Sequence, residues 1–186
     1  GGINYSNSEN SVVIEGSASY SIIGETTPGT FFEALDGKML ADGFMSRFVV
    51  IDYSGPRPPA NKTRAELPQP TVAWFGQLVS HAVQHAMRDP ALVTPSSEAK
   101  AAFDQFDREC DDAINATEDE ARRQMWNRAH LNALKVASLL AVADNYMFPT
   151  ISDAHARWAI DLVKRNIASM TKRLDSGDVG DSDHSR

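Results

Sequence analysis

Five of the nine prolines, Pro56, Pro58, Pro59, Pro68 and Pro70, crowd into residues 56–70 beside Lys62, Arg64 and several polar residues. Proline fixes φ and has no backbone N–H, so neither a helix interior nor a central strand runs through such a stretch. The chain therefore reads as two parts joined by a linker at 56–70. Residues 1–55 are strand-like at both ends, residues 71–175 carry helical periodicity, and the polar tail 176–186 is expected to be disordered.

In the first part, Val12-Val13-Ile14 and Tyr20-Ser21-Ile22-Ile23 are short β-prone runs, and a hairpin across Glu15 to Ala18 fits between them. Gly24-Glu25-Thr26-Thr27-Pro28-Gly29 follows, where Thr26 or Thr27 can cap a helix with Pro28 in its first turn. Phe31, Phe32 and Leu35 give that helix an apolar face, and it is expected to stop near Gly37. Arg47-Phe48-Val49-Val50-Ile51-Asp52 then suits a buried strand, completing a strand–helix–strand unit. Its open strand edges offer a route to self-association.

Beyond the linker, Val72, Phe75, Leu78, Val79, Ala82, Val83 and Ala86 line one helix face up to Asp89-Pro90. A second helix starts near Pro95-Ser96 with Ala99, Ala102, Phe103, Phe106 and Cys110 on its apolar side, opposite an acidic, solvated face. A third runs from about Glu118 to Ala143. Its densest stretch, Leu131 to Ala143, is interrupted by Asn132, Lys135 and Ser138 and falls short of the roughly 20 residues of a membrane span. It predicts a buried helix and no membrane partner. Thr150-Ile151-Ser152-Asp153 opens a last helix with Trp158, Ile160, Leu162, Val163 and Ile167 facing inward. The fold class expected is mostly α with a small β part.

The 18 Lys+Arg against 25 Asp+Glu leave a formal charge of −7 with no basic tract, which disfavours broad coating of nucleic acid by phosphate neutralisation. One cysteine, Cys110, permits neither an internal disulfide nor a multi-cysteine metal site, and its place on an apolar helix face suits packing better than nucleophilic chemistry. This cysteine usage points to the cytoplasm, and Gly1 to Asn10 lacks the basic flank and apolar heart of a secretory signal.

Complete catalytic motifs are missing. The only Gly-Lys pair, Gly37-Lys38, has Phe32 where a phosphate-binding loop needs its first glycine and Met39 where it needs Ser or Thr. His81 and His85 have helical spacing, but Ala82 replaces the glutamate of a zinc-protease pair. Gly16-Ser17-Ala18-Ser19 lacks the closing glycine of a nucleophile elbow. Asp104, Asp107, Glu109, Asp111 and Asp112 have no glycine-turn loop of the calcium kind, so a solvated face is the plainer reading. Trp74, Trp126 and Trp158 suit core or interface positions better than base stacking.

One constellation spans the first part. An Ile-x-Gly-x-Thr-Thr-Pro strand end (Ile22 to Pro28), a Phe-x-x-x-Leu helix, a Gly-Phe-Met-Ser-Arg-Phe entry (Gly43 to Phe48) and a downstream Asn-Ala-Leu-Lys-Val-Ala helix (Asn132 to Ala137) occur in that order. Together they are similar to the primase-helicase-like P-loop ATPases of phages, prophages and plasmids, over most of Ser11 to Ile167. Ser46-Arg47-Phe48 also resembles, more briefly, the arginine-finger segment of replicative minichromosome-maintenance helicases.

The resemblance implies that Arg47 is an arginine finger, against the plainer reading of a strand-end arginine paired with Asp42 or Asp52. It makes Thr26 or Thr27 a γ-phosphate sensor, against helix capping, with Glu25 beside them. It makes Arg128 a second sensor contacting nucleotide in cis, against a surface arginine paired one helical turn away. ATP and Mg would be bound by the intact parent, with none expected for this chain alone. The phosphate-binding loop and magnesium strand of such ATPases would lie upstream of Gly1, so the expectation is an excised C-terminal portion or a degenerate gene product. On this reading the chain is the remnant of an α/β P-loop ATPase core, 1–55, followed by a helical lid-like bundle, 71–175. It would work with other subunits of a hexamer-like ATPase and reach DNA through the parent. The alternative is a non-enzymatic helical module that binds a replication partner.

Overall fold

The computed structural model describes residues 2–3, 12–13, 20–53, 55–63, 65–86 and 92–179 of the 186. In chain order the elements are β1 Gly2–Ile3, β2 Val12–Val13, α1 Pro28–Glu33, α2 Gly37–Ala41, a 3-10 turn Met45–Arg47, α3 Gln69–Ala86, β3 Thr94–Pro95, α4 Ser97–Asn115, α5 Glu120–Asn127, α6 Ala129–Asp144, β4 Thr150–Ile151 and α7 Asp153–Asp175. The chain is mostly helical with a small β part, as its periodicities predict.

Local side-chain chemistry starts the main helices where the sequence places them. Ser96 caps α4 by accepting from the Ala99 N–H at 3.2 Å. At α7, Ser152 accepts from the His155 N–H while His155 Nδ1 accepts from the Ser152 N–H, both at 3.3 Å, a reciprocal box that satisfies two orphan donors. The residues just before these caps pair: β3 and β4 run parallel with Thr94 opposite Thr150 and Pro95 opposite Ile151, and the Ser96 N–H donates to the Ile151 carbonyl at 2.9 Å. This two-residue ladder fixes the N-termini of α4 and α7 side by side.

Between α4, α6 and α7 lies the main core. Ala99, Phe103, Phe106 and Cys110 of α4 are buried, as the spacing predicts. Full burial of a side chain such as Phe106 contributes roughly 2–3 kcal/mol relative to exposure. On α6, Ala129, Ala133, Ala137 and Ala141 recur every fourth residue and are all buried, forming one ridge of methyl groups. Facing them are Ala156 and Ala159 of α7, so the two backbones can approach closely. Leu139 on the far side of α6 is exposed, so this helix is buried along the alanine ridge and at Asn132 and not all round. The expected single helix from Glu118 to Ala143 is two, broken at Arg128, whose φ of −114° and ψ of 5° leave the helical region. Trp158 is exposed rather than inward: the buried positions of α7 are Ala156, Ala159, Ile160, Val163, Ile167 and Met170, and Trp158 lies across the helix from them.

The first part does not form the expected strand–helix–strand unit. The described β residues there are Gly2–Ile3 and Val12–Val13, paired antiparallel with Gly2 opposite Val13; the expected hairpin at Glu15 to Ala18 lies outside the described residues. Among the described residues Tyr20 to Ile23 have no ladder partner, and the side chains of Tyr20, Ile22 and Ile23 are exposed. Gly37 opens a second short helix instead of ending the first, because Asp36 accepts from the Met39 N–H at 2.7 Å and caps it.

The Arg47-to-Asp52 run is likewise not a strand. After the 3-10 turn the chain crosses the bundle as a strap, and its polar groups are met by α7 side chains. The Val50 N–H donates to Asn166 Oδ1 at 2.8 Å, and Asp52 Oδ2 pairs with Arg173 Nη2 at 2.8 Å. A second cluster seals it: Phe32, Leu35, Leu40 and Met45 pack with Met125, Met170 and Val179. Val179 belongs to the stretch expected to be disordered. The Gly177 N–H bonds to the Leu174 carbonyl and the Asp178 N–H to the Arg173 carbonyl, both at 3.1 Å, with Gly177 at φ 74°, so the chain turns back into the core. Residues 180–186 lie outside the described part.

Candidate functional site

Arg47 stands on a turn that is built rather than incidental. After α2 the chain reverses at Gly43, whose φ of 69° is a left-handed conformation. A Cβ there would sit 2.9 Å from Gln124 Oε1 of α5. Met45 and Ser46 are then buried, Ser46 to 5% exposure. Its hydroxyl donates to the Gly43 carbonyl at 2.8 Å, and its own carbonyl accepts from Asn132 Nδ2 of α6 at 2.8 Å. The Arg47 Nη1 also donates to the Gly43 carbonyl. Phe44 and Phe48 flank the turn with ring centroids 5.1 Å apart.

The Arg47 side chain is exposed. Neither Asp42 nor Asp52 pairs with it: Asp52 belongs to Arg173, and among the described residues no carboxylate lies within salt-bridge distance of Arg47. Its contact is a neutral carbonyl, so the positive charge stays available to an incoming anion.

Thr26 and Thr27 precede α1 and are exposed. Thr27 takes the cap position with extended backbone, φ −81° and ψ 143°, but its hydroxyl donates to Thr30 Oγ1 at 3.0 Å and accepts from no helix N–H. Thr26 makes no side-chain hydrogen bond among the described residues. Arg128 sits half-buried at the α5–α6 break, where its carbonyl accepts from the Asn132 N–H at 2.9 Å. It makes no ion pair among the described residues. Arg128 and Arg47 are thus tied to the same anchor, Asn132, one through backbone and the other through Ser46. The two threonines share no hydrogen bond with either arginine.

Asn166 is a position that sequence reasoning passed over, and Asn132, named there as a polar break and as the first residue of the Asn-Ala-Leu-Lys-Val-Ala helix, has no role in that reading. Asn132 is visible as a polar break in an apolar helix, and at 6% exposure such a side chain must find a partner. That partner, the Ser46 carbonyl, lies 86 residues away, which no local pattern announces.

Elsewhere the chemistry is structural. Cys110 is buried in the main core, and burial pushes its thiol up to about 11, which suits packing and not nucleophilic attack. Lys38 follows a helix start capped by the Asp36 carboxylate, so Gly37-Lys38 offers no phosphate cradle, and the residues present do not by themselves fit ATP. The His81 ring packs on Tyr146 at 5.1 Å, and the His85 side chain lies outside the described part. Among the described residues no three His, Cys, Asp or Glu side chains group as metal ligands, and no described helix is long and apolar enough to cross a membrane. The acidic face of α4 is exposed at Asp104, Asp111 and Asp112, with Glu109 paired to Lys164 of α7 and its carboxyl held below the usual range by that hydrogen bond. No protein-family model, curated protein or solved structure matches the chain.

Proposed function

We propose that this chain is the C-terminal portion of a mobile-element DNA replication ATPase, a helicase or primase-helicase, and that it supplies Arg47 as an arginine finger to ATP held by another subunit. The observation that carries the reading is the mounting of Arg47: a turn anchored by buried Ser46 and Asn132 that leaves the guanidinium exposed and unneutralised. A finger needs that combination, since its planar fork must meet phosphate oxygens in a fixed pose while its charge is not spent within its own chain. Thr26, whose hydroxyl is uncommitted, is the better placed of the two sensor threonines, and Arg128 is a second-sensor candidate. The exposed Tyr20, Ile22 and Ile23 also support the reading, because they resemble a sheet strand without its neighbours. As the P-loop remnant, Tyr20 to Ile23 would pair with strands of the parent, while Arg47 to Asp52 stays on α7. The rival of a non-enzymatic module would be favoured by an Arg47 consumed in an ion pair.

The test is Arg47→Ala in the intact ATPase. A finger acts on the transition state, so turnover should fall about 10³- to 10⁵-fold while nucleotide binding stays near normal. In this chain alone the same change should leave the urea midpoint nearly unmoved, because the side chain is exposed. Equal loss of binding and turnover, or a large loss of stability, overturns the proposal.

A further inference from the structure

We infer that α3 is a self-association surface whose occupant is a second copy of this chain. Over eighteen residues, Gln69–Ala86, the helix has no Asp, Glu, Lys or Arg, in a chain where 23% of residues are charged. Its outward stripe is apolar and open: Val72 is 46% exposed, Phe75 55%, Val79 58% and Val83 64%. Such a stripe displays roughly 400 Å² of apolar surface, as much as the largest patch on a typical monomer, and such patches mark interaction sites.

Among the described residues, the contacts of α3 include the His81 ring, 5.1 Å from that of Tyr146. Tyr146 Oη donates to Gln77 Oε1 at 3.2 Å, and Trp74 and Leu78 are only half-buried. The stripe therefore is not the core-facing side that its periodicity suggests.

Three features select a second copy over another partner. An uncharged helix facing its own copy leaves no charge to desolvate or repel, whereas a strongly charged partner would find no countercharge on α3. Beside the large ridge Phe75-Val79-Val83 runs a small one, Ala73, Gly76 and Ser80, which lines an open groove of about 510 Å³ against Tyr146 and Met147. Two-fold pairing sets the large ridge of each copy over the small flank of the other, so one surface supplies both knob and hollow, as an isologous contact requires. The four-residue ridge Phe75-Val79-Val83, presented by each copy, implies a crossing near −50°. Finally, stripe and flank together bury on the order of 1,000 Å² in total, the lower bound for a specific interface, which places the contact among weak, transient ones. Strand edges are not needed: the described strands are two residues long. This inference stands independently of the ATPase reading.

The experiment is sedimentation velocity on the full 186-residue chain across a concentration series from about 1 µM to about 1 mM, the range in which a weak dimer dissociates. The wild type should move from monomer to dimer, and Val79→Glu should stay monomeric with unchanged circular dichroism, since Val79 is already exposed. As a second probe, Val79→Cys should form a covalent dimer under mild oxidation, while Leu139→Cys, even more exposed on α6, should not. Cys110 is buried and does not compete. A wild type that remains monomeric throughout, a dimer that survives Val79→Glu, or crosslinking at Leu139 but not at Val79 overturns the proposal.

Discussion

Replacing Asn132 with alanine tests whether the Arg47 turn is held by the bundle or merely lies upon it. The Asn132 side chain is 6% exposed and its Nδ2 donates to the Ser46 carbonyl at 2.8 Å, on a residue itself 5% exposed. Losing the bond removes about 1 kcal/mol of net hydrogen-bond stabilisation. The Ser46 carbonyl is then left without a donor where water has little access, which adds about 1–2 kcal/mol. The expected cost is about 2–3 kcal/mol, read as a lower urea midpoint at unchanged slope. Asn166→Ala is the control: it also removes a bond to the strap, to the Val50 N–H at 2.8 Å, but Asn166 is half-buried and water can replace it, so about 1 kcal/mol or less is expected. Hydrogen exchange gives the local readout. The Phe48 N–H bonds to the Met45 carbonyl at 3.0 Å, closing the turn, and a local loss of about 2 kcal/mol should speed its exchange roughly 30-fold. An Asn132→Ala protein within about 0.5 kcal/mol of wild type, or less affected than Asn166→Ala, refutes the anchoring argument.

Gly43→Ala should destabilise by about 1–2 kcal/mol through the left-handed φ of 69°. The new methyl must also push Gln124 off its 2.6 Å bond to Glu120, and an unchanged urea midpoint would show that the turn relaxes freely. Acid should weaken the fold through Glu109, lowered by the Lys164 hydrogen bond, and Asp178, lowered by Ser176 and Arg173. A carboxyl lowered in the folded state stabilises above its unfolded pKa and loses that contribution as pH falls through its folded value. The urea midpoint should therefore hold from about pH 7 to 5 and drop below about pH 4, with Lys164→Gln flattening part of the slope. An acid slope identical in Lys164→Gln removes Glu109 from the account.

What was legible in the sequence was local or periodic. The Ser96 and Ser152 caps, and the spacing of Ala99, Phe103, Phe106 and Cys110, each depend on residues within a few helical turns. Where the reading failed, the deciding partner was remote or the pattern was silent about what it faces. Phe48 to Asp52 has the apolar character of a buried strand, yet Ile51 is exposed and the two valines are only partly buried, against helices: Val49 packs on the main core and Val50 on the second cluster. Asn166, which takes the Val50 N–H, is 116 residues away. The α3 stripe shows the other limit, since helical periodicity gives the face and not its occupant. The break at Arg128 carries neither glycine nor proline, so composition alone could not divide α5 from α6. As for the candidate site, the motif words singled out Arg47, whereas the residues that hold it are polar side chains found only through their tertiary partners.

The linker residues 56–70 divide the sequence but not the packing. Phe32, Leu40 and Met45 come before the prolines, Met125, Met170 and Val179 far after them, and they share one apolar cluster. Arg173 reinforces the join from α7: it pairs with Asp52 at 2.8 Å and Asp178 at 3.1 Å, and its guanidinium lies 4.6 Å from the centre of the Phe32 ring. The two segments therefore cannot move as independent bodies without exposing that cluster and leaving the Ser46 carbonyl unpaired. Motion of α5 to α7 therefore carries the Arg47 turn with it, through the bond between Asn132 and the Ser46 carbonyl. If Arg47 is the finger proposed above, its positioning would depend on the placement of the whole bundle rather than on a flexible loop.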